Sequence, residues 1–209
     1  MLRILIADDH TVVRKGLRQI LTDHFKEILI EEVAEAESLI DKVITAGWDV
    51  VISDINMPGR SGLDALKQIR AVFPGLPVLF FSSHPEEHYA IRVLKSGASG
   101  YLCKDSASEV LVNAVEKVLQ GKKYFSPYVI EQLVNYIDAD FRKLSYEYLS
   151  NREFDVMRLL ASGKSVSDIA EKLSLSVTTV STYRRRIIAK TGLRSNYDIT
   201  KYAIENQLL

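Results

Sequence analysis

The chain has 209 residues, 47% hydrophobic and 26% charged, the balance of an ordinary globular protein with room for one or two domains. No apolar run approaches the ~18 residues of a membrane helix. The start, MLRILIADDH, ends a short apolar stretch in two acids, unlike a signal peptide. The single cysteine, Cys103, excludes an internal disulfide and reads as a small buried hydrophobe. A cytoplasmic protein with no membrane partner is therefore expected. The formal net charge is zero, but it is unevenly spread. Residues 1–140 carry 15 Lys and Arg against 20 Asp and Glu, a net of −5; residues 141–209 carry 12 against 7, a net of +5. The basic C-terminal part hints at a polyanionic partner, although +5 is also common on soluble surfaces.

The first 125 residues alternate short apolar runs with helix-like stretches. The runs are Leu2–Ala7, Ile28–Val33, Val50–Ser53, 78–81 and Gly100–Cys103. They are continuous in Val, Ile, Leu and Phe, as strands buried on both faces of a parallel sheet should be. The connectors repeat apolar residues at helical spacing, as in Val12, Val13, Leu17, Ile20 and Leu21. Five β and five α segments in alternation predict an open α/β sheet, whose ligand site lies beyond the carboxyl ends of the strands. The residues at those ends are Asp8-Asp9, Ser53-Asp54, Ser82-Ser83 and Lys104. Any one Asp there reads equally well as a helix N-cap or turn residue. Together they bring three carboxylates, a hydroxyl and an ammonium to one edge. Crowded carboxylates repel, and a divalent cation with oxygen ligands, such as Mg²⁺, relieves the repulsion.

The segments ILIADDH, VVISDINMPGRSGLDAL, PVLFFSS and GASGYLCKD resemble the receiver domain of two-component response regulators over roughly residues 1–120. The resemblance implies a flavodoxin-like (βα)5 parallel-sheet fold. By position it makes Asp54 the phosphoacceptor of a histidine kinase. It makes Asp9 and Asp54, with the backbone carbonyl of Asn56, the direct Mg²⁺ ligands, and Asp8 a ligand mostly through water. Ser82 and Lys104 bind the phosphoryl oxygens, and Tyr101 is the aromatic switch. Lys104 is followed by Asp105 where many receivers have Pro. Asn56 and His84, two residues after Asp54 and Ser82, are candidates for tuning the lifetime of the acyl phosphate. His10, His24 and His88 have no ligand cluster in the sequence and receive no metal role.

Residues 123–147 break the rhythm. Pro127 is suited to opening a helix through Ile137, followed by a polar connector. The expected divisions are thus a receiver at 1–122, a linker at 123–147 and a DNA-binding domain at 148–209. After residue 148 no strand pattern survives, and four helices are predicted. Ser150-Asn151-Arg152-Glu153 and Ser195-Asn196-Tyr197-Asp198 are capping boxes; Ser165 and Ser176 cap the two helices between them. Two short helices joined by a tight turn, the second basic, fit a helix-turn-helix. On a wheel of that second helix, Val177, Val180, Ile187, Ile188 and Thr191 gather inward, and Thr178, Ser181, Thr182, Arg185 and Arg186 outward. A solvated basic helix with no partner would look the same.

Residues 149–193 resemble the LuxR-type four-helix domain of NarL/FixJ regulators. That resemblance implies base reading by Ser181, Thr182 and Arg185. It implies phosphate contacts from Thr178, Thr179, Tyr183, Arg186 and Lys190. Arg184 falls on the inward side of the wheel and is expected to pair with Glu153 or to reach a phosphate. In the last helix, Ile199, Tyr202 and Ala203 share a face with no evident core role and are expected to form the dimer contact. The partners implied are double-stranded DNA, a sensor histidine kinase, a second copy of the chain and RNA polymerase. The chain reads as a transcription regulator and not an enzyme, with at most slow autodephosphorylation. Two alternatives remain: a regulator whose receiver is vestigial, and an aspartate-nucleophile phosphatase. The latter carries its nucleophile after the first strand, whereas Asp54 follows the third.

Overall fold

The structure is a computed structural model and describes residues 1–131, 145–206 and 208–209. The chain forms two compact units, Met1–Asp138 and Ala139–Leu209.

In the first unit, five parallel strands form one sheet: β1 Leu2–Ala7, β2 Ile28–Val33, β3 Val50–Ser53, β4 Val78–Ser82 and β5 Gly100–Cys103. Their spatial order is β2-β1-β3-β4-β5. The helices between and after them are α1 Thr11–His24, α2 Ala36–Thr45, α3 Gly62–Val72, α4 Glu86–Lys95 and α5 Ser108–Leu119. Alternation along each strand sends successive side chains to opposite faces. Ile4, Ile6, Val50, Ile52, Leu79 and Leu102 meet Leu17 and Leu21 of α1 and Leu111, Val115 and Val118 of α5. On the other face lie Leu5, Val51 and Phe80; α2 and α3 bury Leu39, Val43, Leu63 and Leu66. Both faces are therefore dry, which is why the strands read as unbroken apolar runs. Strand order reverses between β1 and β3, and Asp8, Asp9 and Asp54 follow those two strands.

The receiver-like unit runs past the residue 122 expected from sequence. Gly121 takes φ +75 after α5, and Tyr124 then pairs with the edge of β5. Its N–H donates to Ser99 O at 2.8 Å, and its carbonyl accepts from Tyr101 N at 3.0 Å. Residues 127–131 are helical; the rest of the predicted linker helix, to Ile137, and most of the polar connector lie outside the described residues.

The described part of the second unit opens with a 3-10 turn, Ser145–Tyr148, followed by α6 Asn151–Ala161, α7 Val166–Lys172, α8 Val177–Thr191 and α9 Asn196–Glu205. Each α-helix starts at a serine whose hydroxyl accepts an orphan backbone N–H: Ser150, Ser165, Ser176 and Ser195. Glu153, Asp168 and Asp198 return the bond to the cap N–H, completing three capping boxes; loss of such a cap costs about 1 kcal/mol. Phe154, Met157, Leu160, Ile169, Val180, Ile187, Ile199 and Ala203 form the buried interior.

Gly62, the first residue of α3, sits against the phosphoacceptor candidate. A Cβ there would lie 2.0 Å from Asp54 O and 2.9 Å from Ser53 Oγ. The backbone must shift to admit a methyl, and overpacking of this kind costs about 1–3 kcal/mol. Gly62→Ala is expected to lower the thermal midpoint of the first unit by about 5 °C or more, measured by calorimetry.

Candidate functional site

β1 and β3 deliver their carboxylates side by side. Asp8 and Asp54 are buried, with side chains 2% and 6% exposed, and Lys104 from the end of β5 lies between them. Its Nζ is 2.6 Å from Asp8 Oδ2 and 2.7 Å from Asp54 Oδ2. The other Asp54 oxygen, Oδ1, accepts the N–H of Ile55 at 2.6 Å. Asp9 stands at the mouth of the pocket, one-third exposed. Arg14 on α1 donates from Nη1 to the Asp8 carbonyl at 2.6 Å, and both Arg14 and Arg18 bond Glu32 of β2. Burial raises the Glu32 pKa, but Arg18 and then Arg14 overcome it and hold the carboxyl below its usual value. A charged clamp thus fixes the loop that carries Asp8.

The electrostatics favour a further cation. Burial is the largest influence on Asp54 and pushes its pKa up; the Lys104 charge and hydrogen bond pull against it, Asp8 adds to the rise, and the net direction is upward. Burial works against the Lys104 ammonium, yet Asp54 and Asp8 together keep its pKa above the usual value. One permanent ammonium faces three carboxylates. Ligand atoms of Asp8, Asp9, His10 and Asp54 lie within 4.8 Å of one another. The three carboxylates of this set fit a hard divalent cation.

The remaining pocket residues converge as the sequence predicts. Ser82 is buried at the end of β4, and its Oγ accepts from His84 N at 3.4 Å. Tyr101 is also buried; its hydroxyl donates to the His84 carbonyl at 2.6 Å. Burial, with the nearby Cys103 charge second, raises its phenol well above the usual tyrosine pKa. Asn56 Nδ2 lies 2.6 Å from His84 Nε2, and the His84 ring stacks on Tyr89 at 4.3 Å. A cleft of about 560 Å³, lined by Ser83, His84, Glu86, Cys103, Lys104 and Asp105, opens beside the pocket. Sequence reasoning passed over His10. Its Nδ1 lies 2.6 Å from Asp9 Oδ1 and 3.2 Å from Asp8 Oδ1. The signal was its adjacency to the acid pair at the head of α1.

On α8, Thr178, Ser181, Arg185 and Arg186 are exposed, and Thr179, Thr182 and Tyr183 are half-buried. Thr179 and Thr182 bond within the helix, to Ser176 Oγ and to the Thr178 carbonyl. Several expectations are corrected here. Val177 is 52% exposed, because the first residue of the helix overhangs the interior. Arg184 does not meet Glu153; its Nε donates to Asn196 Oδ1 at 3.0 Å. Glu153 is taken by Lys190, whose Nζ is 2.6 Å from Oε2. Lys190, expected to contact a phosphate, has this structural partner while its side chain stays 40% exposed. On α9, Ile199 and Ala203 are fully buried and belong to the interior. Tyr202 is half-buried, its hydroxyl accepting from Tyr146 N at 3.3 Å. None of the three forms a free apolar face. The exposed stripe of α9 is instead Tyr197, Lys201 and Ile204, spaced to share a helix face.

Residues 4–116 match the family described as the response regulator receiver domain. The chain is a response regulator. Residues 147–203 match the luxR family of bacterial regulatory proteins, which makes it a two-component regulator of the NarL/FixJ type with a LuxR-type DNA-binding domain. This response regulator is 35% identical to the oxygen regulatory protein NreC of Staphylococcus carnosus, over all of the chain and 99% of that protein. It is 31% identical to the response regulator UvrY of Escherichia coli, covering 100% and 96%. Among solved structures it resembles two RcsB dimers bound to two parallel DNAs, with a TM-score of 0.59 and 28% identity, covering 96% of this chain and 97% of that one. It also resembles RcsB from Salmonella enterica bound to the promoter P1flhDC with phosphomimetic BeF3−, at the same score and identity and with the same coverage.

The Glu153–Lys190 pair gives this regulator a pH signature. Burial pushes the Glu153 carboxyl up, but Lys190 and the Ser150 cap outweigh it, so its folded pKa lies below the ordinary 4.5. The stability it contributes is complete above 4.5 and is lost as pH falls through the lower folded value. Glu153→Gln keeps an oxygen for the cap and loses the ion pair. It should destabilise the second unit by about 1 kcal/mol at neutral pH, a difference that closes in acid, measured by urea unfolding across pH.

Proposed function

We propose that Asp54 is the phosphoacceptor of this response regulator and that its acyl phosphate controls sequence-specific binding of α8 to double-stranded DNA. The observation that carries this reading is the convergence of Asp8, Asp9, Asp54, Ser82 and Lys104 at one edge of the sheet. An Asp54 carboxylate oxygen attacks phosphorus, the bond to the donor breaks, and the donor leaves with its electron pair. The Lys104 ammonium sits where it can take a developing phosphoryl charge. Asp8, Asp9, Asp54 and the Asn56 carbonyl would hold Mg²⁺, which when bound supplies further neutralisation of that charge. Ser82 then bonds a phosphoryl oxygen, and Tyr101 and the His84 backbone, already joined, carry the change to the surface beside β4 and β5. Asn56 and His84, in contact beside Asp54, tune the acyl phosphate's lifetime; any hydrolysis is slow autodephosphorylation and not turnover. The physiological donor is a sensor histidine kinase.

Ser181, Thr182 and Arg185 read bases, and Thr178, Thr179, Tyr183 and Arg186 contact phosphates. The exposed stripe Tyr197, Lys201 and Ile204 supports a contact with a second copy, which would place two copies of α8 on adjacent half-sites.

With acetyl phosphate and Mg²⁺, the wild-type mass should rise by one phosphoryl group. Asp54→Asn should show no gain, and Lys104→Ala a gain slower by about tenfold or more. Equal labelling of Asp54→Asn would sink the assignment.

Against DNA selected from a random pool, Arg185→Ala should cost about 1–3 kcal/mol and relax base preference. Arg186→Ala should weaken all sequences alike and reduce the salt slope by about 1. Ile204→Arg should leave single half-site binding intact and abolish cooperative binding of two, read by gel shift.

A further inference from the structure

His10 adds a different kind of atom to the acidic pocket. It is the N-cap residue of α1, with extended backbone (φ −88, ψ 108), and its side chain makes no cap hydrogen bond. Its backbone N–H donates to Asp8 Oδ1 at 2.8 Å, so the residue is held against the pocket by its main chain. The ring is turned inward over the acids, with Nδ1 2.6 Å from Asp9 Oδ1 and 3.2 Å from Asp8 Oδ1. A six-coordinate cation with donors at ~2.1 Å sets neighbouring donors ~3 Å apart and opposite donors ~4.2 Å apart. One ligand atom each from Asp8, Asp9, His10 and Asp54 falls within 4.8 Å of all the others. Small side-chain movements would therefore bring all four onto one ion.

We propose that His10 is a nitrogen ligand of the divalent cation held by this pocket, and that it turns an oxygen site into a mixed site ranking late first-row cations above Mg²⁺. The inference rests on the reading of the pocket as a cation site and goes beyond it to cation identity. Mg²⁺ is hard, holds its waters and gains little from imidazole. Affinity for nitrogen-containing sites rises from Mn²⁺ to Ni²⁺, and imidazole is a good partner for Ni²⁺ and Zn²⁺. The ring is 65% exposed, so its nitrogen reaches a cation with little desolvation. The fixed backbone limits the ordering needed on binding.

The test uses the full chain and three metal ions. Calorimetric titration with Mg²⁺ and with Ni²⁺ compares wild type and His10→Asn, counting only the site that Asp54→Asn removes. Asn is a good N-cap residue, so the substitution spares α1. The expected result is a loss of about tenfold or more in Ni²⁺ affinity, with Mg²⁺ affinity changed less than about twofold. In parallel, Mn²⁺ bound to wild type should show the ¹⁴N electron spin-echo modulation of a directly bonded imidazole, and His10→Asn should lose it. Equal loss for both cations, as a purely charge-based or structural role gives, would overturn the proposal. So would ¹⁴N modulation absent from wild type or retained in His10→Asn. If no cation binds wild type at an Asp54-dependent site, the cation pocket itself fails; if one binds without nitrogen, only the role of His10 fails.

Discussion

Lys104 sits between two buried carboxylates, and most of the first unit exists to keep it there. An ammonium at 2.6–2.7 Å from both Asp8 and Asp54 neutralises only part of the charge that the ends of β1 and β3 bring together. Breaking a buried charge pair costs several kcal/mol because the survivor is left uncompensated. The deficit in positive charge makes the pocket attractive to a further cation. The sheet's order places the acids at the reversal between β1 and β3, where no crossover helix covers the strand ends. Gly62 lets α3 approach the Asp54 carbonyl closely, and the Arg14–Glu32–Arg18 clamp anchors the Asp8 loop. Stability and function therefore draw on the same few groups.

The second unit follows a different logic. It is small, and its helices are specified at their ends as much as in their middles. Four serine caps start the helices, and Gly163 and Gly192, at φ +81 and +74, follow α6 and α8. Capping of this kind fixes helix phase, and phase decides which side chains of α8 face outward. Arg185 and Arg186 are outward because Val180 and Ile187 are inward.

The sheet and the pocket were legible in the sequence because four of the five strands, β1, β3, β4 and β5, end at polar or charged residues whose chemistry makes sense together. Strands β1, β2, β3 and β5 match their predicted bounds, and β4 gains only Ser82. The failures lie where a helix wheel had to choose between two buried sides. From the sequence, the face of Ile199 and Ala203 has no evident need in so small a core, yet both are fully buried. In fact α9 packs against α6, and a unit this small needs every apolar residue it has. Lys190 and not Arg184 meets Glu153, because the partner of Glu153 depends on how α8 crosses α6, a tertiary quantity with no periodic trace. The contacts of His10 with Asp8 and Asp9 leave no ligand-spacing pattern in the sequence, because its partners are the two acids immediately before it.

Tyr124 has a practical consequence for dissecting the molecule. Its backbone completes the hydrogen bonding of β5 at an otherwise bare rim of the sheet, and Gly100 leaves just enough room for it: a side chain there would meet Tyr124 O at 2.6 Å. A fragment cut at residue 122 would strip the Ser99 carbonyl and the Tyr101 amide of their partners and offer an open strand to neighbouring molecules. An isolated receiver fragment should therefore keep the chain through at least Ser126, whose amide is in turn anchored on Glu86.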